Sequence, residues 1–291
     1  MSECRDCPRN CGAERERGAQ GRCRSGYLPR AARAAAHFGE EPCISGKKGS
    51  GTVFFSGCPL KCVYCQNSSI SDGCFGKEIS EKRLIEIFKE LEAQGANNIN
   101  LVSPTHYAEQ LSDTLSKYKP SIPVVYNTGG YDSVDTLKKL EGLVDVFLTD
   151  IKYVSPTVSK KYSRAENYFE VASKAVLEMR RQQPEDIFED GILKKGLIIR
   201  HLVLPGNISQ GIKALEWING NLSSNTIISL MGQYMPCARA SEYPTINRKI
   251  NHREYETVLS KAEMLGFENV YIQELDSSSE EFIPDFDLQG V

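Results

Sequence analysis

From residue 52 onward the chain alternates short, nearly unbroken apolar runs with segments of helical periodicity, and no other feature narrows the fold as far. Apolar and β-branched runs without polar alternation belong to strands buried on both faces. They stand at Thr52–Phe55, Asn98–Val102, Val124–Tyr126, Val144–Leu148, Leu197–Leu204 and Thr226–Leu230, with a last short run at Val270–Ile272. Helical patterns fill the intervals. Ser80 can cap a helix whose apolar residues Leu84, Ile87, Phe88 and Leu91 share one face, with Gly95 ending it. Others run from Tyr107 to Tyr118, Val134 to Leu140, Tyr168 to Arg181, Ile212 to Asn219 and His252 to Leu265. Strand–helix alternation predicts a parallel sheet covered by helices. Six such units are too few for a closed eight-unit barrel, so the expected fold class is α/β, a partial (β/α)6 TIM-type barrel.

Chemistry in such folds gathers at the C-terminal ends of the strands. Cys58, Cys62 and Cys65 follow the first run, in the order Phe55-Ser56-Gly57-Cys58-Pro59-Leu60-Lys61-Cys62-Val63-Tyr64-Cys65. Ser103-Pro104-Thr105-His106 follow the second, Asn127-Thr128-Gly129-Gly130 the third and Asp150-Ile151-Lys152 the fourth. Arg200-His201 lie within the fifth, and Gln233-Tyr234 follow the sixth. Three thiolates at C-x3-C-x2-C spacing can hold an iron–sulfur cube and leave one iron open to a small molecule. Buried packing cysteines or a zinc site are the alternatives. Zinc wants a fourth close ligand, and the nearest, Cys74, is nine residues on. Asp150 and Lys152 alternate onto one face of the chain, where they can form an ion pair or grip a charged ligand.

A second group, Cys4, Cys7, Cys11 and Cys23, lies in a segment too small to fold on a core of its own. Four thiolates there suit zinc or a second iron–sulfur cluster. Cys43, Cys74 and Cys237 stand alone and read as packing residues, Cys237 within a loop at the site. The expected organisation is a Cys-rich metal-binding segment over 1–45, the barrel over 46–275 and an acidic, mobile or loosely docked tail over 276–291. Residues 268–291 hold seven acids and no lysine or arginine, whereas residues 1–40 hold eight arginines against five acids. With a formal net charge of -3, the chain is not a nucleic-acid binder by charge. No apolar run reaches the ~20 residues of a membrane span, and the first residues lack the apolar core of a secretory signal, so a cytoplasmic protein without a membrane partner is expected. Ten cysteines in that compartment point to metal rather than disulfides.

The Cys58–Cys65 loop, with an aromatic residue before its last cysteine, resembles the signature of the radical S-adenosylmethionine (radical SAM) superfamily. That run, together with Asn127-Thr128-Gly129-Gly130, Asp150-x-Lys152 and Arg200-x4-Pro205-Gly206, is similar to the pyruvate formate-lyase-activating-enzyme group. The N-terminal cysteines, Glu40-Glu41-Pro42 and Asn98–Tyr107 resemble its less characterised branch. The resemblance implies a [4Fe–4S] cluster on Cys58, Cys62 and Cys65 and S-adenosylmethionine on its open iron. It implies reductive cleavage to a 5′-deoxyadenosyl radical that takes hydrogen from a protein or peptide substrate, with activation of a glycyl-radical enzyme as the narrowest form. An electron donor of flavodoxin or ferredoxin type is implied with it. Asp150, Asn127 and Thr128 fall where activating enzymes place a monovalent-cation and cofactor site. Lys152 and Arg200 fall at cofactor contacts, and Tyr64 near the adenine. Three positions depart from the pattern. Ser103-Pro104-Thr105-His106 replaces a Gly-Gly-Glu, Asn127 stands where Asp is frequent, and Tyr234 stands where a late histidine is expected. An enzyme acting on RNA or a small molecule, and a non-catalytic iron–sulfur protein, are the competing classes.

Overall fold

The computed structural model describes residues 3–273, 275 and 284–291. In chain order the elements are β1 (Arg30–His37), α1 (Pro42–Ser45), β2 (Ser50–Phe55), α2 (Ser68–Ser71), β3 (Lys77–Glu78), α3 (Glu81–Ala93), β4 (Ile99–Val102) and α4 (Ala108–Lys117). Then follow β5 (Val124–Thr128), α5 (Val134–Lys139), β6 (Val146–Asp150), α6 (Pro156–Ser163), α7 (Tyr168–Gln182), β7 (Ile187–Glu189) and β8 (Ile192–Leu202). The last are α8 (Ile208–Asn221), β9 (Ile227–Met231), α9 (His252–Met264) and β10 (Val270–Ile272).

The sheet order is β10-β9-β8-β6-β5-β4-β2-β1-β3. The seven strands from β10 to β2 are parallel, and the path ends at two separate edges, so the barrel stays open. This is the expected partial TIM-type barrel. Ser80 caps α3 by accepting from the Arg83 amide, and a capping box between Asn251 and Glu254 starts α9. Tyr126, Phe147, Ile199 and Ile228 face the helices in one large apolar core. Alternate residues face inward, where Val125, Val146, Leu148, Ile198 and Ile227 close around Cys43 and Ile44. The short helix α1 therefore plugs the bottom of the barrel. No helix among the described residues is long and apolar enough to cross a membrane.

Three elements depart from the sequence reading. β1 is an alanine-rich run of high helix propensity, yet it pairs antiparallel with β2 from Ala31↔Phe55 to His37↔Ser50. It brings residues of the 1–45 segment into the sheet itself. β7 forms a hairpin with the start of β8, and α6 lies in a stretch without a clear apolar stripe. Of the acidic tail, residues 276–283 lie outside the described residues. Residues 284–291 run along β1, with the Leu288 amide donating to Ala32 O at 3.0 Å and the Ala34 amide to Gln289 O at 2.8 Å.

A candidate active site at the mouth of the barrel

The inward ends of β2, β5, β6, β8 and β9 surround a cavity of about 260 Å³. Its walls include Cys58, Cys62, Tyr64 and Cys65 from one loop, and Asn127, Thr128, Gly129, Asp150, Lys152 and Arg200 from the strands opposite. The loop turns sharply because Gly57 has φ of 88° and Lys61 of 50°. A Cβ on Gly57 would stand 2.2 Å from Ser25 Oγ and 2.8 Å from Cys23 O, so only glycine lets the N-terminal segment press this close.

Each sulfur of the loop has a hydrogen-bond partner beside it. The Leu60 amide lies 3.4 Å from Cys58 Sγ, Ser163 Oγ 2.9 Å from Cys62 Sγ and Ser71 Oγ 3.3 Å from Cys65 Sγ. The three thiols also act on one another electrostatically, and burial pushes Cys58 up to about 11 and Cys65 up to about 12. No three His, Cys, Asp or Glu side chains among the described residues converge on a point that could hold a single metal ion. A cube offers each sulfur its own iron, so its ligands stand farther apart than those of one ion. Three mutually close thiols on one loop, with hydrogen-bond donors aimed at them and a shared cavity, fit that group.

Asp150 and Lys152 form an ion pair inside the cavity. Burial opposes the Lys152 ammonium, but Asp150 and the cysteines outweigh it, so its pKa is raised. The Tyr168 hydroxyl accepts from the Lys152 amide at 3.0 Å and lies 2.9 Å from Gly129 O, tying the ends of β5 and β6 together. Tyr64 lines the cavity within a tyrosine-rich cluster, its hydroxyl 2.5 Å from that of Tyr153. Thr128 Oγ donates to the buried Asp132 at 2.6 Å. Ser103 lines the same cavity with a left-handed φ of 58°. His106 is fully buried, its Nε2 2.8 Å from Ser56 O, and burial lowers its pKa to about 3. His201 points away from the cavity and binds Ile151 O at 2.6 Å. Tyr234 faces the cavity and donates to Ile246 O at 2.6 Å, while Cys237 Sγ lies 3.2 Å from Tyr64 O.

Arg200 is placed differently from the sequence expectation. It enters the barrel, but its guanidinium is held by Glu41 at 2.7 and 2.5 Å and by Glu40. Its Nε and Nη2 are thus committed to two carboxylates, while Nη1 faces Asn127 Oδ1 at 3.5 Å on the cavity wall. Asn127 joins them, donating to Glu40 at 3.2 Å. Glu40, Glu41, Asn100 and His37 belong to this layer, and spacing gave them no role. Glu40-Glu41-Pro42 and Asn98–Tyr107 entered the sequence reading through the family resemblance, without a role at the site.

Cys4, Cys7 and Cys23 are buried and Cys11 is exposed. Burial pushes Cys4 up to about 11 and Cys7 up to about 12, and Cys7 feels the charges of the other three. Arg15 anchors this segment, with contacts to Cys23 Sγ at 3.3 Å, Asp6 at 3.3 Å and His106 O at 2.5 Å. Arg9 reaches Pro59 O in the cysteine loop at 2.9 Å.

Comparison with known proteins agrees with this geometry. Residues 52–196 match the model of the radical SAM superfamily. Uncharacterized protein MJ0674 of Methanocaldococcus jannaschii is 34% identical over 245 residues, covering 81% of this chain and 67% of that protein. Streptococcus suis SuiB bound to precursor peptide SuiA aligns with a TM-score of 0.51 and 13% identity over 77% of this chain. SuiB bound to S-adenosylmethionine aligns with a TM-score of 0.50 and 12% identity, also over 77% of this chain. The chain spans about half of SuiB, 48% and 50% in those two structures. The likeness to SuiB is one of fold. On the family match and on the relative sharing a third of its residues, the chain belongs to the radical SAM superfamily, which implies a [4Fe–4S] cluster and S-adenosylmethionine.

Proposed function

We propose that the chain is a radical SAM enzyme in which Cys58, Cys62 and Cys65 hold the cluster and S-adenosylmethionine lies between their loop and the ends of β5 and β6. One observation carries this reading: three thiols face Asp150, Lys152 and Gly129 across a single cavity. Held there by Cys58, Cys62 and Cys65, the cluster would supply the single electron for reductive cleavage of the cofactor's sulfonium, and with it the means of hydrogen abstraction. The chain's own residues bind and orient. The Lys152 ammonium, kept charged by Asp150, offers its positive charge to the cofactor's carboxylate. Gly129 gives the backbone close approach beside Lys152, and Tyr64 supplies a ring face for adenine. Asn127, Thr128 and Asp150 would serve a monovalent cation in the same place.

The hydrogen donor in this proposal is a protein or peptide, with glycyl-radical-enzyme activation as the narrower form. The open edge at β10 supports it, as does the loop over 232–249, pinned to the cysteine loop by the Arg239 amide and Val63 O at 2.8 Å. A flavodoxin or ferredoxin would supply the electron, and Cys4, Cys7, Cys11 and Cys23 would take a second cluster or, once drawn together around one point, zinc. The test is 5′-deoxyadenosine formation by anaerobically reconstituted, dithionite-reduced protein. Wild type forms it, and Cys62→Ala reduces it at least a hundredfold. Undiminished formation by Cys62→Ala removes the loop from the reaction.

A further inference from the structure

The floor of the cavity carries a charge that the interior does not balance. Asp150 and Lys152 neutralise each other, whereas Arg200 alone faces both Glu40 and Glu41. The hydrogen bonds to the Glu40 carboxyl oxygens come from Asn100 Nδ2 at 2.9 Å, Asn127 Nδ2 at 3.2 Å and the Arg200 guanidinium. Both Glu41 oxygens accept from Arg200. Burial opposes the Glu41 charge, but the Arg200 guanidinium outweighs it and lowers the Glu41 pKa, and the layer sets two acids against a single cation. An unbalanced charge taken out of water is unfavourable until something pairs with it.

A second shortage lies in the same place. Asn100 is fully buried, and its Oδ1 has no hydrogen-bond partner. Turning the amide over would set Oδ1 against the Glu40 carboxylate, so the atom left without a partner is an acceptor. The excess charge and the orphaned acceptor both lack a positively charged donor. His37 on the cavity wall does not supply it, because burial lowers its pKa and keeps the ring neutral. Its ring stands edge-on to Phe54 at 5.7 Å, and Phe54 and Tyr64 add aromatic walls.

We infer that the floor receives a cationic group of the substrate, a primary ammonium or a guanidinium, on Glu40, with Arg200 and Glu41 holding that carboxylate in place. The inference rests on the proposed reading that substrate hydrogen is taken inside this cavity. A free amine and a lysine or arginine side chain of a peptide offer the same chemistry. Glu40 is a binding residue and Arg200 and Glu41 are positioning residues.

The test is calorimetric titration of anaerobically reconstituted wild-type protein, with and without S-adenosylmethionine, by n-butylammonium and by its neutral counterpart 1-butanol. Butylammonium is expected to bind at least tenfold tighter, and Glu40→Gln to abolish that preference. Equal binding of the two by wild type overturns the inference without any variant having to fold. A preference that survives in a folded Glu40→Gln also overturns it, as does competitive displacement of butylammonium by S-adenosylmethionine, which would give the floor to the cofactor. Competition by the peptide Gly-Lys-Gly supports the inference with a side chain as the source, and binding of butylammonium without such competition supports it with a free amine. 5′-Deoxyadenosine formation is scored on the same wild-type sample. Its absence counts against the proposed function alone, and butylammonium selectivity is judged independently.

Discussion

Gly130 has no room for a side chain. Its φ is 78°, and a Cβ would stand 2.1 Å from Asp150 O and 3.0 Å from the Tyr168 hydroxyl. Gly130→Ala must therefore displace the β6 end, and we expect a loss of about 3 kcal/mol in urea unfolding, from strain and overpacking together. His106 sets a pH dependence. Its ring is neutral in the fold because burial lowers its pKa to about 3, against about 6.5 for the unfolded chain. Unfolding then takes up a proton, so stability is full above about pH 6.5 and falls as pH drops toward 3. His106→Gln should lessen the slope of unfolding free energy between pH 6 and 4 by about 1.4 kcal/mol per pH unit, one proton's worth. An unchanged slope would mean that the imidazole is protonated in the fold. Most cavity residues were legible as the polar groups that end apolar runs. Arg200 was legible as inward-pointing, but its partners Glu40 and Glu41 were not. They lie about 160 residues away, and no periodicity connects them.

At the scale of elements, the parallel strands were readable because burial on both faces leaves unbroken apolar runs, as in β4 and β6. β1 was not readable. Arg30-Ala31-Ala32-Arg33-Ala34-Ala35-Ala36-His37 carries little strand propensity, and pairing with β2 overrides that preference. Small side chains serve there because residues 284–291 pack along the same edge. A Cβ on Gly290 would stand 2.0 Å from Ala34 O, Phe286 meets Phe54 at 5.5 Å, and Arg33 pairs with Asp287 at 2.8 Å. Removing residues 284–291 uncovers a strand edge and one cavity wall. We expect a loss of roughly 2 kcal/mol from the aromatic burial and a Tm lower by about 5 °C, with faster hydrogen exchange over β1. Unaltered exchange there would show that the tail does not protect this edge.

For the whole molecule, function follows from layering along the barrel axis. An apolar plug around Ile44 closes the bottom, and the Glu40–Arg200–Glu41 layer lies above it. The cavity follows, and the cysteine loop closes the mouth, braced from outside by Arg9 of the N-terminal segment. The central claim is that Cys58, Cys62 and Cys65 carry a cluster with an iron open to the cofactor. Electron paramagnetic resonance of the reduced, reconstituted protein, with and without S-adenosylmethionine, tests it most directly. The account predicts a cluster signal that changes shape when the cofactor is added, and loss of that cofactor-responsive signal, with about four irons per chain, when all three cysteines are changed to alanine. A wild-type signal indifferent to the cofactor, or a cofactor-responsive signal that persists in the triple variant, would contradict it.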